Sequence, residues 1–498
     1  MGGCLPLSRK SGRPVGQNHP LPIPETECRQ EFEMELTKRG DGQKTEHAVV
    51  LGASVSGLCA ARVLADFFDR VTVVERDVLP SGFTPRKGVP QGHHVHSLVL
   101  RGARILEGFF PGFSEELVAD GATPAKALTD LRISFFGSLL RRVPIGSDVI
   151  QASRPFLEGH LRRRVAALGN VTVMDGMEAV GILTAPGKTV TGVRLGRPGS
   201  AGAPQEVAAD LVVDAMGRGG RGAAWLESMG YARPKEEGLR VDVTYVSRHY
   251  RLPPAALGTD KAVLVGPTPQ RPRGLVLTAQ EGDGWVLSLY GYGTADRPPV
   301  LPEETDVFVK EIAPPDVWDV LQQAEPLDDA MSFRIPATVR RRYDKLRHLP
   351  GGLLSIGDAV CALNPIYGTG MTAAALEAEA LRACLERGMN RLPRRYYRSA
   401  ARRVRLPWLF AMLADKALPQ VPGSGSMTTR VLAELFRATM RAAAADSAVA
   451  ERVWNAVSLT GSPIQLGHPS VIVALYRNRS RGSRRIAGAV AANPAQPQ

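Results

Sequence analysis

A short glycine-bounded turn, Gly52-Ala53-Ser54-Val55-Ser56-Gly57, constrains this chain more than any other part of its sequence. An apolar segment at 47–51 precedes the turn, a helical pattern follows at 55–68, and a second apolar segment spans 71–75. This order predicts the β-α-β unit that opens a doubly wound α/β fold. In such a unit the free N–H groups of the helix N-terminus can face the pyrophosphate of a dinucleotide.

The residue types within this unit are those that dinucleotide binding requires. Gly52 and Gly57 permit a tight turn and a close approach of helix to strand, and Ser54 occupies the position of the motif's middle glycine. Glu75, at the end of the second apolar segment, stands where an acid binds a ribose diol. The alternative is an ordinary β-α-β turn followed by a chance glutamate.

A second segment, far along the chain, adds the features that a flavin dinucleotide needs. An apolar strand at 352–356 ends in Gly357-Asp358, so its tip offers a carboxylate to a polyol. A glycine-rich turn at 364–371 then opens a long alanine-rich helix, which supplies a second helix N-terminus.

The two segments together resemble the FAD-dependent monooxygenases of the para-hydroxybenzoate hydroxylase type. The resemblance implies non-covalently bound FAD, with Asp358 at the ribitol and the second helix N-terminus at the flavin. The segment 212–220 is similar to that family's Asp-Gly motif, with Ala215 in place of the glycine. The further residues for which we expect cofactor contacts are Arg76, Arg86, Arg154, Asp214, Pro365, Gly368, Gly370 and Met371.

The segment 86–96, with histidines at 93, 94 and 96, is similar to a bacterial subgroup that includes the polyene epoxidases of polyether pathways. The subgroup resemblance covers residues 47 to about 475. We interpret this segment as a loop packed over the flavin and predict no metal site, because no acid or cysteine accompanies the histidines in sequence.

This subgroup implies epoxidation of alkenes of a large apolar secondary metabolite, such as a polyketide polyene in antibiotic biosynthesis, by the C4a-hydroperoxide of FAD. Reducing equivalents would come from NAD(P)H, with or without a separate flavin reductase. No catalytic side chain is assigned, because the flavin carries the chemistry. Tyr245, Trp285 and Tyr290 are expected to line the substrate pocket. The alternatives are an NADPH-dependent phenolic hydroxylase of the same fold and a flavin-dependent reductase of isoprenoid double bonds.

The pattern of strands and helices predicts four regions. A Rossmann-like FAD-binding domain of the glutathione-reductase type comprises 46–230 and 346–390, and an inserted antiparallel-sheet domain at 231–345 covers the substrate. Residues 391–498 form a helical C-terminal region, and residues 1–45 form a disordered extension.

The net charge of +13 is concentrated near the C-terminus, with eight arginines and no acid between residues 387 and 405. Arg391, Arg395, Arg398, Arg402 and Arg405 are predicted to share one helical face, either solvated or facing an acidic carrier protein, an anionic substrate or a membrane surface. We expect no nucleic-acid partner and no membrane span. Five scattered cysteines favour a cytoplasmic location.

Overall fold

The computed structural model describes residues 45–186, 188–200 and 202–462, together with residues 468, 471, 473 and 475. The chain divides into two units, residues 1–44 and residues 45–498, and the description concerns the second unit. All of the expected extension except residue 45, which opens the first strand, lies outside the described residues.

The strands are numbered in chain order. They are β1 (Thr45–Leu51), β2 (Phe68–Val74), β3 (Thr123–Lys126), β4 (Leu131–Phe135), β5 (Ser138–Leu139), β6 (Asp148–Gln151), β7 (Val171–Met174), β8 (Glu178–Thr184), β9 (Val190–Gly196), β10 (Gln205–Ala208), β11 (Leu211–Asp214), β12 (Glu236–Arg251), β13 (Ala262–Val265), β14 (Arg273–Ala279), β15 (Gly284–Tyr292), β16 (Glu325–Pro326), β17 (Met331–Arg341), β18 (Leu353–Ser355) and β19 (Cys361–Ala362).

The helices are numbered in the same way. They are α1 (Val55–Leu64), α2 (Leu100–Phe109), α3 (Phe113–Ala119), α4 (Arg154–Ala166), α5 (Gly222–Ser228), α6 (Pro302–Ile312), α7 (Pro315–Leu321), α8 (Gly370–Leu385), α9 (Leu392–Arg403), α10 (Arg405–Lys416), α11 (Met427–Ala445) and α12 (Ser447–Val457).

A parallel sheet forms the first layer, with strand order β18-β11-β1-β2-β7. Its central strands are apolar throughout, and Val49, Val73 and Val213 have no exposed surface. Strands have such continuously apolar sequences when both faces of a sheet are covered, here by α1, α8 and their neighbours. Because ligands of such folds bind beyond the carboxyl ends of the strands, the turns after β1, β2, β11 and β18 define where a site can form.

A second, mostly antiparallel sheet has the order β19-β17-β12-β15-β14-β13-β4-β5, with β16 added beside β12. The expected block at 231–345 supplies most of this sheet, whereas β4, β5 and β19 come from outside it. One face of the sheet packs on α6 and α7. The other face packs on a smaller cluster that includes Leu418 and Val421, just after α10.

Helices α8–α12 follow one another with short connections, as the pattern after residue 370 predicts. The α10–α11 hairpin is joined by an edge-to-face contact between Phe410 and Phe436, whose ring centroids lie 5.8 Å apart. Among the described residues, none of these helices combines the length and apolar character needed to cross a bilayer. The fold class is confirmed: a doubly wound domain, a strand-rich domain and a helical C-terminal region.

Candidate cofactor and substrate site

The turn after β1 is closed by two glycines whose places no other residue could take. Gly52 has a φ of +109°, and a Cβ there would lie 2.6 Å from the Ala215 carbonyl oxygen. A Cβ on Gly57 would lie 1.8 Å from the Gly52 oxygen. Both contacts are shorter than atoms tolerate, so only glycine lets α1 approach β1 and β11 this closely. The N-terminus of α1 therefore lies directly beyond the carboxyl ends of these strands.

Glu75 lies beside this turn rather than facing solvent. Its Oε2 accepts a hydrogen bond from the Ala53 N–H at 2.9 Å and forms an ion pair with Arg86 Nη1 at 3.1 Å. Its Oε1 accepts a hydrogen bond from the Asp77 N–H. The residue is 7% exposed. Its carboxylate thus fixes the backbone of the first turn, and its predicted ribose contact remains a prediction. Arg76, by contrast, is exposed.

A buried glutamate that the sequence analysis missed connects three predicted site residues. Glu158 accepts hydrogen bonds from Arg86 Nε at 2.9 Å, Arg154 Nε at 3.1 Å and Ser54 Oγ at 2.9 Å. Burial alone would raise the pKa of Glu158, but Arg154 and Arg86 outweigh it and hold the pKa below its usual value. The signal was present, since Arg154 and Glu158 stand four residues apart on one helix.

Asp214 is turned into the protein. The resemblance implied a cofactor contact, yet this side chain has no exposed surface. Its Oδ1 accepts from the Met216 N–H at 3.1 Å and its Oδ2 accepts from the Gly222 N–H at 2.6 Å. Both oxygens accept from backbone donors, so Asp214 shapes the loop after β11, and its cofactor contact stays a prediction.

The Gly-Asp turn after β18 packs directly against the first turn. A Cβ on Gly357 would lie 2.6 Å from the Cβ of Ser56, so the two turns touch although about 300 residues separate them. Asp358 keeps 41% of its side chain exposed, with Arg218 Nε 4.0 Å away. Burial raises the pKa of Asp358, although Arg218, Arg154 and Arg341 oppose that rise, so charges from three segments act on this carboxyl.

The turn that opens α8 is formed by the predicted residues Pro365, Gly368, Gly370 and Met371. Pro365 is exposed, Gly368 has a φ of +62°, and Met371 is 6% exposed. A Cβ on Gly370, the first residue of α8, would meet no atom within 4 Å. The α8 N-terminus therefore faces open space, as a helix end that receives an anionic ring edge must.

The loop at 86–96 packs onto the antiparallel sheet. His94 Nδ1 lies 2.7 Å from Ser247 Oγ, and the Val95 N–H donates to Ser288 Oγ. Burial lowers the pKa of His94 to about 4 and that of His96 to about 3, so both rings are neutral at pH 7. No cluster of His, Cys, Asp or Glu suited to a metal ion occurs in the part of the chain that the structure describes.

The three aromatic residues predicted to line a substrate pocket do not lie on one face. Tyr245 and Tyr290 are opposite each other on β12 and β15, with ring centroids 6.1 Å apart, on the face towards α10. Trp285 packs against α6 and α7 on the other face. Side chains alternate along a strand, so positions 285 and 290, five residues apart, must point opposite ways. Trp285 therefore cannot line the same pocket as Tyr245 and Tyr290.

A polar network that the sequence analysis did not assign lies on the α10-facing side of the sheet. Asp415 Oδ1 accepts from Tyr292 at 2.9 Å, Asn364 at 2.8 Å and Tyr367 at 2.7 Å. The Tyr245 hydroxyl donates to Asn364 Oδ1 at 3.2 Å. Burial raises the pKa of Asp415 to about 6, although the three hydrogen bonds oppose that rise.

These features fit a flavin dinucleotide. Two helix N-termini, a half-exposed carboxylate at a strand tip and the open space beside Gly370 lie together at the carboxyl ends of the parallel strands, and we call the space that they border the cofactor cleft. Arg154 acts electrostatically on both Asp358 and His96, which places the helix α4, the Gly-Asp turn and the 86–96 loop around that cleft. The donors and acceptors are those that a pyrophosphate, a polyol and a flavin ring require.

Comparisons with known proteins agree with this fold. No protein-family model matches the chain. It is 38% identical over 355 residues to Protein Rv3254 of Mycobacterium tuberculosis (strain ATCC 25618 / H37Rv), covering 69% of this chain and 74% of that protein.

Several solved structures of flavin-dependent enzymes are similar to the chain. A triple mutant of the flavin-dependent brominase Bmp2 matches with a TM-score of 0.60 and 15% identity, over 88% of this chain and 99% of that one. The p-nitrophenol 4-monooxygenase PnpA from Pseudomonas putida DLL-E4 gives 0.61 and 16%, over 84% and 99%. PqsL of Pseudomonas aeruginosa in complex with 2-aminobenzoylacetate gives 0.59 and 16%, over 78% and 100%. At these identities the likeness shows the fold, which is that of FAD-dependent monooxygenases.

Proposed function

This chain belongs to the same family as Protein Rv3254 of Mycobacterium tuberculosis, and we propose that it is an FAD-dependent monooxygenase. One observation carries the proposal: the first glycine turn, the Gly-Asp turn and the open N-terminus of α8 meet at one cleft. The fold of solved FAD-dependent monooxygenases supports it.

The proposed cofactor contacts follow the geometry of this cleft. The α1 N-terminus, held by Gly52 and Gly57, would bind the pyrophosphate, and Glu75 would bind the adenosine ribose. Asp358 would bind the ribitol, and the α8 N-terminus at Gly370 would stabilise negative charge on the reduced ring. Bound FAD, reduced by NAD(P)H directly or through a flavin reductase, would supply the oxidant formed with O₂.

The chain's own contribution to the reaction is to exclude water and to position the substrate. The 86–96 loop is held on the antiparallel sheet through His94 and Ser247, where it would close one side of the cofactor cleft. Neutral histidines and buried tyrosine hydroxyls offer polar atoms without charge, so an apolar molecule could enter without leaving an ion unpaired. Such a dry pocket protects an oxidised intermediate from decay.

For the substrate we propose a large apolar alkene, such as a polyketide polyene, which would be epoxidised. The α10-facing side of the sheet supports this choice, because partly buried Phe136, Phe333, Ile366 and Met412 pack there. An alkene needs no base, so this pocket would have only to hold and orient it.

A second candidate is hydroxylation of a phenol, and the Asp415 network favours it. A buried carboxyl with a pKa of about 6, bonded to two tyrosine hydroxyls, could accept a phenol proton near neutral pH. The epoxidase proposal assigns this network only a role in holding the 364–368 turn.

Labelled oxygen distinguishes these functions. The full chain, loaded with FAD and supplied with NADPH and ¹⁸O₂, would be given a polyene or a simple phenol, with and without a flavin reductase. The epoxidase proposal predicts one ¹⁸O atom per epoxidised alkene, detected by mass spectrometry. Label in the phenol alone would support the second candidate. Reduction of the double bond without oxygen uptake would contradict both.

A further inference from the structure

A groove of about 960 Å³ lies between α9, the start of α10 and the segment that follows β17. Its lining brings together six exposed cations from these segments: Lys345, Arg347, Arg394, Arg398, Arg402 and Arg405. We call this the cationic groove. The sequence analysis foresaw only the helical arginines, whereas the structure adds the two cations that follow β17.

The acids of the groove do not neutralise these cations. Glu237 and Asp344, the two acids that line it, both pair with Arg342, at 2.6 Å and 2.8 Å. Within the described residues, no acid pairs with any of the six exposed cations. Like charges held together in this way repel one another and raise the electrostatic free energy of the surface. An anionic partner would lower that free energy by binding.

The arrangement of the cations is linear. A second cavity of about 550 Å³ lies beside the first, shares Arg394 and Arg398 with it, and adds Arg387 and Arg391. Helix α9 alone spans about 18 Å at 1.5 Å per residue. Arg395, predicted for this face, also lines the second cavity, and its guanidinium donates to the carbonyl oxygens of Cys384 and Asn390.

The lining of the cationic groove also includes apolar side chains. Trp408, Leu409 and Leu346 line it, and Leu409 is 49% exposed. The surface therefore offers a line of positive charge together with an apolar recess. An acidic amphipathic helix has the complementary form, with carboxylates along one face and an apolar side chain to fill the recess.

We propose that the cationic groove docks an acidic amphipathic helix of a partner protein. A small polyphosphate would not span two adjoining cavities, and a flat bilayer would not follow the concave surface of a groove. The groove also adjoins the proposed flavin domain. Arg340 lines the groove, and the next residue, Arg341, donates a hydrogen bond to the carbonyl oxygen of Ala359, which follows Asp358. Resting on the proposed function, the partner would be an acidic carrier protein that presents the substrate.

Binding can be measured on the full-length protein without any assay of oxygenation. The probe is a fluorescent 18-residue helical peptide with glutamates along one face and a single leucine. A permuted peptide of the same composition, with glutamates all around the helix, is the matched control. At physiological salt we expect the ordered peptide to bind about tenfold more tightly than the permuted one, because only it matches the line of arginines.

Charge-reversed variants localise the interaction. The double variant Arg394→Glu/Arg398→Glu should lower the affinity for the ordered peptide about tenfold or more. The matched control is Arg104→Glu/Arg430→Glu, which reverses two exposed arginines outside the groove and should change affinity less than about twofold. Thermal unfolding of both variants reports whether each still folds.

Equal affinity for the two peptides, or equal loss in the two variants, would overturn the proposal. So would tighter binding of phosphatidylglycerol vesicles or of tripolyphosphate than of the ordered peptide. A protein that binds the peptide as expected but takes up no FAD would leave this surface intact and refute the proposed function instead.

Discussion

At the scale of single residues, Glu75 combines two tasks within one buried carboxylate. It fixes the first turn through the Ala53 N–H and balances the charge of Arg86. The replacement Glu75→Gln keeps the shape of the side chain but removes its charge. It also places an NH₂ group, which cannot accept a hydrogen bond, next to the N–H donors that the carboxylate now binds. We expect the dissociation constant for FAD to rise about tenfold, because a charged hydrogen bond near the cofactor is lost.

This change should leave turnover at saturating FAD nearly unaltered, since the adenosine end is remote from the reacting ring. Fluorescence titration with FAD gives the affinity, and oxygen uptake gives the turnover. Glu46→Gln, an exposed glutamate on β1, is the matched control. A large loss of turnover at saturation would place Glu75 in a different role.

Asp415 makes a prediction about pH. Its pKa lies at about 6 in the folded chain, above the usual aspartate value, so the folded state holds a proton that the unfolded state has already released. The contribution of Asp415 to stability therefore falls as pH rises from about 4 to about 6, by roughly 3 kcal/mol. Asp415→Asn should lack this component.

Urea unfolding of wild type and Asp415→Asn at several pH values measures the effect. The difference in unfolding free energy should shift in favour of the variant between pH 4 and pH 6 and then level off. The comparison cancels contributions from His94 and His96, which titrate in both proteins. A difference that does not vary with pH would mean that Asp415 titrates as an ordinary aspartate.

At the scale of elements, the N-terminus of α8 tests where the flavin lies. Gly370→Ala adds one methyl group in space that no protein atom occupies, so the fold should tolerate it. If the flavin ring occupies that space, FAD affinity should fall about tenfold or more through the clash. Equilibrium titration with FAD and thermal unfolding of the apoprotein report the two effects separately.

Gly108→Ala is the matched control, because Gly108 also lies in a helix with nothing within 4 Å of its Cβ position. It should leave FAD affinity unchanged. An unchanged affinity in Gly370→Ala as well would show that the flavin does not approach this helix end.

Elements also show what the sequence could and could not predict. Glycine turns and apolar strands are local signals, so β1, α1 and β18 were predicted within a few residues of where they lie. Trp285 lies on the opposite face of the sheet from Tyr245 and Tyr290, which strand alternation could have shown from the sequence. Glu158 and Asp415 were missed because their partners come from distant segments, which a local pattern cannot reveal.

At the scale of the whole molecule, residues that are far apart in the sequence form the candidate site. The first turn and the Gly-Asp turn are almost 300 residues apart in sequence, yet Gly57 and Gly357 both pack at the same end of the parallel sheet. The family resemblance predicted that they meet. It could not predict that the Asp214 side chain would turn inward, because the backbone amides that it binds come into reach only when the loop after β11 has folded.

The most direct test of the central claim is a titration of the purified apoprotein with FAD, followed by flavin absorbance. We predict one FAD bound non-covalently per chain. Asp358→Ala should weaken binding about 10- to 100-fold, because it removes a charged acceptor worth roughly 1.5 to 3 kcal/mol. A folded protein that binds no FAD, or an Asp358→Ala variant that binds it as tightly as wild type, would contradict the account.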